Sequence, residues 1–121
     1  MPESSPEAPE LDPEDAKIVT LARSARARSG RPQGAAVRDT DGRTYAATTV
    51  TLASLELSAL QVAVAMAVSS AASGLEAAAI VGTDTGLMSD DRALLREFGG
   101  PGLPVLLADP DGAVRELTRP G

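Results

Sequence analysis

Side chains that commonly do chemistry are few in this chain of 121 residues. Cysteine and histidine are both absent. That removes thiolate and imidazole zinc ligands, the cysteine nucleophile and the commonest general base. Three groups of residues remain to be weighed. Asp90 and Asp91 with Glu56 are oxygen donors of the kind Mg²⁺ or Ca²⁺ takes. Adjacent acids before an apolar run also suit the positive end of a helix dipole, and that is the expected role. Ser58 stands near a helix start, but no histidine can activate it, and Lys17, the only lysine, belongs to another helix. Capping or packing is therefore expected of Ser58 rather than nucleophilic attack. Arg23, Arg26, Arg28 and Arg31 form a basic run, read as a solvated helix face and its exit rather than a phosphate site.

The charge is uneven. The net is -6. Glu3, Glu7, Glu10, Asp12, Glu14 and Asp15 crowd the first fifteen residues without a base, and the remainder is balanced. A neutral domain with one lysine is a poor electrostatic partner for nucleic acid. Residues 1–11, rich in Pro, Glu and Ser, are expected to be a disordered acidic tail, with the domain at 12–121. Met1 is followed by Pro2 and Glu3 rather than a basic and then apolar leader. The most apolar stretch, Leu57 to Ala72, is shorter than the ~20 residues a bilayer crossing needs. A cytoplasmic protein without membrane contact is expected. The bias to Ala, Arg, Gly, Pro and Val is that of a GC-rich bacterial genome.

The elements that must position these residues follow from pattern. Asp12 reads as an N-cap with Pro13 at the first helical position, and Gly30 and Pro32 end that helix. Residues 34–39 and 43–52 read as strands around the Asp41-Gly42 turn. Leu55 to Ser73 reads as a helix so apolar all round that it should be buried on every side. Residues 75–83 form a buried strand. Thr85 and Gly86 turn the chain, and Ser89 caps a third helix that the glycines at 99, 100 and 102 close. Residues 104–108 and 113–118 form a last hairpin across Asp109-Pro110-Asp111-Gly112. The result is an α/β fold: a mixed five-stranded sheet with helices on both faces, in three layers.

This order, with four local phrases, resembles the cytidine deaminase family. LARSARARSGRPQGAAVRDTDGRTYAATTV is similar to that family's first helix, its Pro-Val-Gly turn and the hairpin after it. LASLELSALQVAVAMAV is similar to the helix that bears the first zinc motif. DDRALLREFGG is similar to the end of the second zinc motif, and LPVLLADPDGAVRELT to the closing hairpin. The resemblance spans Ala16 to Thr118. It implies the cytidine deaminase-like fold and, in the family, a zinc-activated water whose proton a glutamate shuttles to the departing ammonia.

Position by position, the resemblance places that chemistry on residues unsuited to it. The first motif, Cys-Ala-Glu, falls on Ser58-Ala59-Leu60, so a serine stands for a ligand and a leucine for the proton shuttle. The two cysteines of the second motif fall on Met88 and Asp91, and only the following Arg92 is retained. The ribose-binding Asn and Glu fall on Thr49 and Thr51, and the Phe before the Pro-Val-Gly turn on Arg31. A hydroxyl, a thioether and one carboxylate do not make a tetrahedral zinc site. The expectation is a catalytically inactive relative, a pseudoenzyme that takes no cofactor and serves as a binding or scaffolding module. It should be a homo-oligomer through the apolar helix at 55–73, with a further protein partner possible. The alternatives are a deaminase or hydrolase completed by ligands from a partner chain, and a non-catalytic nucleoside sensor.

Overall fold

A computed structural model describes residues 11–83 and 86–121. The first helix, α1 (Pro13–Ser29), begins as its sequence dictates. Asp12 Oδ1 accepts from the Glu14 amide at 2.9 Å, and Glu14 and Asp15 lie in the first turn. Gly30 ends the helix in the left-handed conformation, φ 68°, donating its N–H to the Arg26 carbonyl. Residues 1–10 lie outside the described residues, as does Thr85, expected in a turn. Leu11 packs half-buried beneath α1.

Strands β1 (Gln33–Asp39) and β2 (Thr44–Thr48) form the expected antiparallel hairpin. Asp39 organises it. Its carboxylate accepts from the amides of Asp41 and Arg43, each at 2.9 Å, and from the Tyr45 hydroxyl at 2.7 Å. Burial alone would raise the Asp39 pKa, but the Tyr45 bond, the two amides and the Arg43 charge outweigh it and hold the group below its ordinary value.

Two sequence expectations change beyond this hairpin. The second strand does not run to residue 52: it stops at Thr48, and β3 (Val50–Leu52) pairs with β4 (Leu55–Leu57) in a separate two-stranded sheet. The helix expected from Leu55 is α2 (Ala59–Ser69). The alternation of Leu55-Glu56-Leu57 matches Val50-Thr51-Leu52 as a hairpin, and Ser58 caps the helix only after it. At its other end α2 stops before Ser73, and Ala71 takes φ 67° without being glycine.

The main sheet has the order β2-β1-β5-β6-β7, completed by β5 (Leu75–Gly82), β6 (Val105–Ala108) and β7 (Val114–Thr118). Only β5 and β6 are parallel, joined by α3 (Ser89–Gly99). Ser89 is the first residue of α3 rather than its cap; Met88 occupies the cap position and makes no side-chain cap bond. A sulfur side chain fills a place where a hydroxyl would accept an amide.

Alternate residues of β1 and β5 face opposite layers. Ala36, Ala77, Ala79 and Val81 meet Ile18, Val19 and Ala22 of α1. Ala35, Val37, Ala78 and Ile80 meet Leu60, Ala63 and Val64 of α2, with Leu95 of α3. The helix α2 is not buried on every side. Ala59, Leu60, Ala63, Val64 and Ala67 are covered, whereas Met66 (41%) and Val68 (53%) are exposed. Two layers of cover are too few for a helix that is apolar around its whole circumference. Among the described residues no helix is long and apolar enough to cross a membrane.

The α1 backbone lies tight against the sheet at Gly34. A Cβ there would collide with the Ala22 carbonyl oxygen and stand 3.0 Å from the Arg26 Cβ. The obstacle is helix backbone, which cannot rotate aside. Gly34→Ala is therefore expected to lower the unfolding free energy by about 2–3 kcal/mol, the usual cost of overpacking, read by urea denaturation. An unchanged midpoint would show that α1 can move off the sheet freely.

Candidate functional site

The N-termini of α2 and α3 come together, and a cleft opens beside them. At the start of α2, Ser58 Oγ accepts from the Gln61 amide at 3.0 Å, while Gln61 Oε1 accepts from the Ser58 amide at 2.8 Å. This reciprocal capping box satisfies two amides that would otherwise lack partners. Its signal, Ser-x-x-Gln, is present in the sequence and marks the true helix start.

The Ser58 hydroxyl also donates to Asp91 Oδ1 at 2.7 Å. Asp91 is the third residue of α3 and only 3% exposed. Burial raises its pKa and the neighbouring Asp90 charge adds to the rise; the Ser58 bond opposes both without cancelling them. One hydroxyl thus ties together two helix starts through residues 33 apart in sequence.

The cleft has a volume of about 410 Å³. Pro32 and Gln33 border it at the start of β1, and Thr49, Val50 and Thr51 along β3. Glu56, Leu57 and Ser58 contribute from β4 and the α2 cap, and Met88 and Asp90 from the start of α3. A smaller recess of about 130 Å³ adjoins it, where Gln61 and Asp91 join Gln33, Ser58, Met88 and Asp90.

Of the residues singled out by sequence, Thr49, Thr51, Ser58 and Met88 therefore share one cleft, and Asp91 borders its annex. Three others lie elsewhere. Leu60 is fully buried in the core beneath α2. Arg31 is exposed and does not line the cleft. Arg92 points toward the chain's last residues, donating from Nη1 to the carbonyls of Arg119 (3.1 Å) and Pro120 (3.4 Å). Gln33 and Gln61 were not anticipated as lining residues. Gln61 was legible from the capping box; Gln33 has no local signal, because only the sheet brings it opposite Ser58.

The donor set does not fit zinc. Ser58 is a neutral hydroxyl that spends its proton on Asp91 and one lone pair on an amide, and Met88 is 62% exposed and offers a thioether. Among the described residues, no group of three or more acidic side chains is placed to hold any metal ion. Glu56, Asp90 and Asp91, weighed above as Mg²⁺ or Ca²⁺ donors, border the cleft and annex without converging on a point.

Comparison with known proteins agrees with the architecture. A family model described as cytidine deaminase-like matches residues 11–112. The fold is similar to the crystal structure of cytidine deaminase from Burkholderia pseudomallei, at 26% identity and TM-score 0.77, covering 87% of this chain and 91% of that one. It is similar to cytidine deaminase from Mycobacterium tuberculosis at 26% identity and TM-score 0.69, covering 93% of each chain. For the Mycobacterium leprae enzyme the values are 27% and 0.66, covering 84% of this chain and 90% of that one. A search of curated proteins by sequence finds no significant match.

The Ser58–Asp91 contact sets two expectations. Ser58→Ala removes a cap and strips a buried carboxylate of its donor, and is expected to cost about 2 kcal/mol by urea unfolding. Asp91→Asn keeps an acceptor for Ser58 but removes the charge. Because the folded pKa of Asp91 is raised, its contribution is fully present below the unfolded carboxylate value and is lost as pH rises through the folded one. The wild type is therefore expected to lose stability relative to Asp91→Asn as pH rises from 4 to 7. A variant that weakens the fold more at pH 7 than at pH 4 would reverse the sign.

Proposed function

We propose that this chain, which belongs to the cytidine deaminase-like family, is a member that binds without deaminating. The observation that carries the reading is the hydrogen bond from Ser58 Oγ to Asp91 Oδ1. It joins two of the positions that the family resemblance assigns to zinc ligands, and it uses them to brace two helix starts. The absence of every cysteine and histidine supports the same reading. So does Leu60, which stands at the proton-shuttle position and is packed among Ala63, Val64 and Leu95 rather than facing the cleft. A leucine there neither activates water nor returns a proton.

What the geometry supports is a small module with an open cleft and an apolar outer helix face; its proposed location is the cytoplasm. The cleft favours a ligand-sensing version of the role, since about 410 Å³ accommodates a nucleoside-sized molecule. The helix face favours assembly. Met66 borders a groove of about 370 Å³ with Tyr45, Val62 and Ala65, and Val68 is exposed on the same helix. A second copy meeting the first through α2 would cover this surface, which a monomer leaves in water.

Metal analysis beside ultraviolet measurement of cytidine loss tests the central reading. No stoichiometric zinc and no turnover above a heat-killed control are expected; one zinc per chain, or turnover, would overturn it. Assembly is tested by a pair of variants on α2. Val64 faces the core, so Val64→Asp is expected to unfold the protein. Val68→Asp is expected to keep the fold by circular dichroism while light scattering falls from oligomer to monomer. A wild-type monomer at tens of micromolar would remove the interface.

A further inference from the structure

The cleft carries a charge pattern that identifies what it should take. Glu56 stands on its β4 side and Asp90 on its α3 side, with Asp91 in the annex. No lysine or arginine lines either space. The two helix N-termini bring roughly half a positive unit each. Ser58 already caps one of them, and full carboxylate charges exceed what remains. The lining side chains carry net negative charge, and among the described residues no cationic side chain lines the cleft; the Arg26 guanidinium is held on the carbonyl of Pro32.

Two further features shape the occupant. Leu57 and Met88 give the cleft apolar walls. Thr49 Oγ1, on the same lining, is covered and has no hydrogen-bond partner among the described residues. A bare metal ion does not fit, because the carboxylates are not grouped to converge on one. A larger cation with several N–H donors spans the separate acceptors and lays its body on the apolar walls. Phosphorylated and carboxylated molecules meet the like charges of Glu56 and Asp90.

We propose that the cleft is selective for a small organic cation, an amidinium or ammonium group on an apolar body. The inference rests on the reading of this cleft as the binding site.

Three probes share one ring and differ in charge: benzamidine, benzamide and benzoate. The full chain is titrated with each at 0.15 M salt, where exposed charges beyond about 8 Å are screened, by calorimetry and amide NMR shifts. Benzamidine is expected to bind about fivefold or more tighter than benzamide, with benzoate not binding. Shifts should centre on residues 49–57 and 88–91. The double variant Glu56→Gln, Asp90→Asn should abolish the preference. Glu116→Gln, on β7 outside the cleft, should preserve it and so exclude simple attraction to the net charge. Equal affinity for benzamidine and benzamide, no binding of any probe, or a preference that survives the double variant would overturn the inference. Equal binding of all three would leave the cleft a binding site without charge selectivity. Zinc content and cytidine turnover bear on the non-deaminating reading alone, so the two can fail separately.

Discussion

The structure depends on how little side chain lies between its layers. The two central strands carry Ala35, Ala36, Ala77, Ala78 and Ala79, all fully buried, and Gly34 lets the α1 backbone rest almost directly on the sheet. Small side chains each remove little apolar area from water, so the core compensates by closeness rather than volume. Ile18 and Leu106 on one side and Leu60 and Leu95 on the other are the largest fully buried groups. A core this thin has little to spare. It explains why α2 keeps an apolar outer face: one helix over one sheet face cannot cover a helix that is apolar around its circumference.

Close layers also fix where the helices begin. With α2 and α3 on the same face, their N-termini meet beside the start of β1, and Ser58 and Asp91 find each other there. The hydroxyl serves three groups at once: it accepts from its own helix, donates to the next, and lies on the wall of the cleft. In the family resemblance the same junction is where a metal would join the two helices. Here a hydrogen bond makes that connection. A serine–carboxylate bond can brace two elements and hold a buried acid, but it offers no open coordination position and no ionised water.

Arg92 illustrates how a retained residue need not keep a site role. It belongs to the stretch most similar to the second zinc motif, yet its guanidinium donates to the carbonyls of Arg119 and Pro120. Its place on α3, next to Asp91 but turned the other way, makes it a tether for the end of the chain. Helical geometry explains the difference, since successive residues lie about 100° apart and cannot share a face.

Local signals determined the elements that local forces control. Asp12, Pro13 and Gly30 delimit α1 because caps and backbone freedom act within a turn, and Asp41-Gly42 sets the first hairpin for the same reason. The absence of cysteine and histidine removed thiolate and imidazole ligands before any fold was known, because no arrangement of the chain in space can supply a missing side chain. The break at Thr49 and the β3–β4 hairpin have no local signal, because short apolar runs satisfy strand and helix periods alike and only pairing distinguishes them, whereas the start of α2 is marked locally by the Ser58–Gln61 capping box. The partnership of Ser58 with Asp91, the course of Arg92 and the joining of Glu56, Asp90 and Gln33 around one cleft were decided by tertiary structure alone. They link residues far apart in the chain, and their meeting depends on how closely an alanine-lined sheet lets its helices approach.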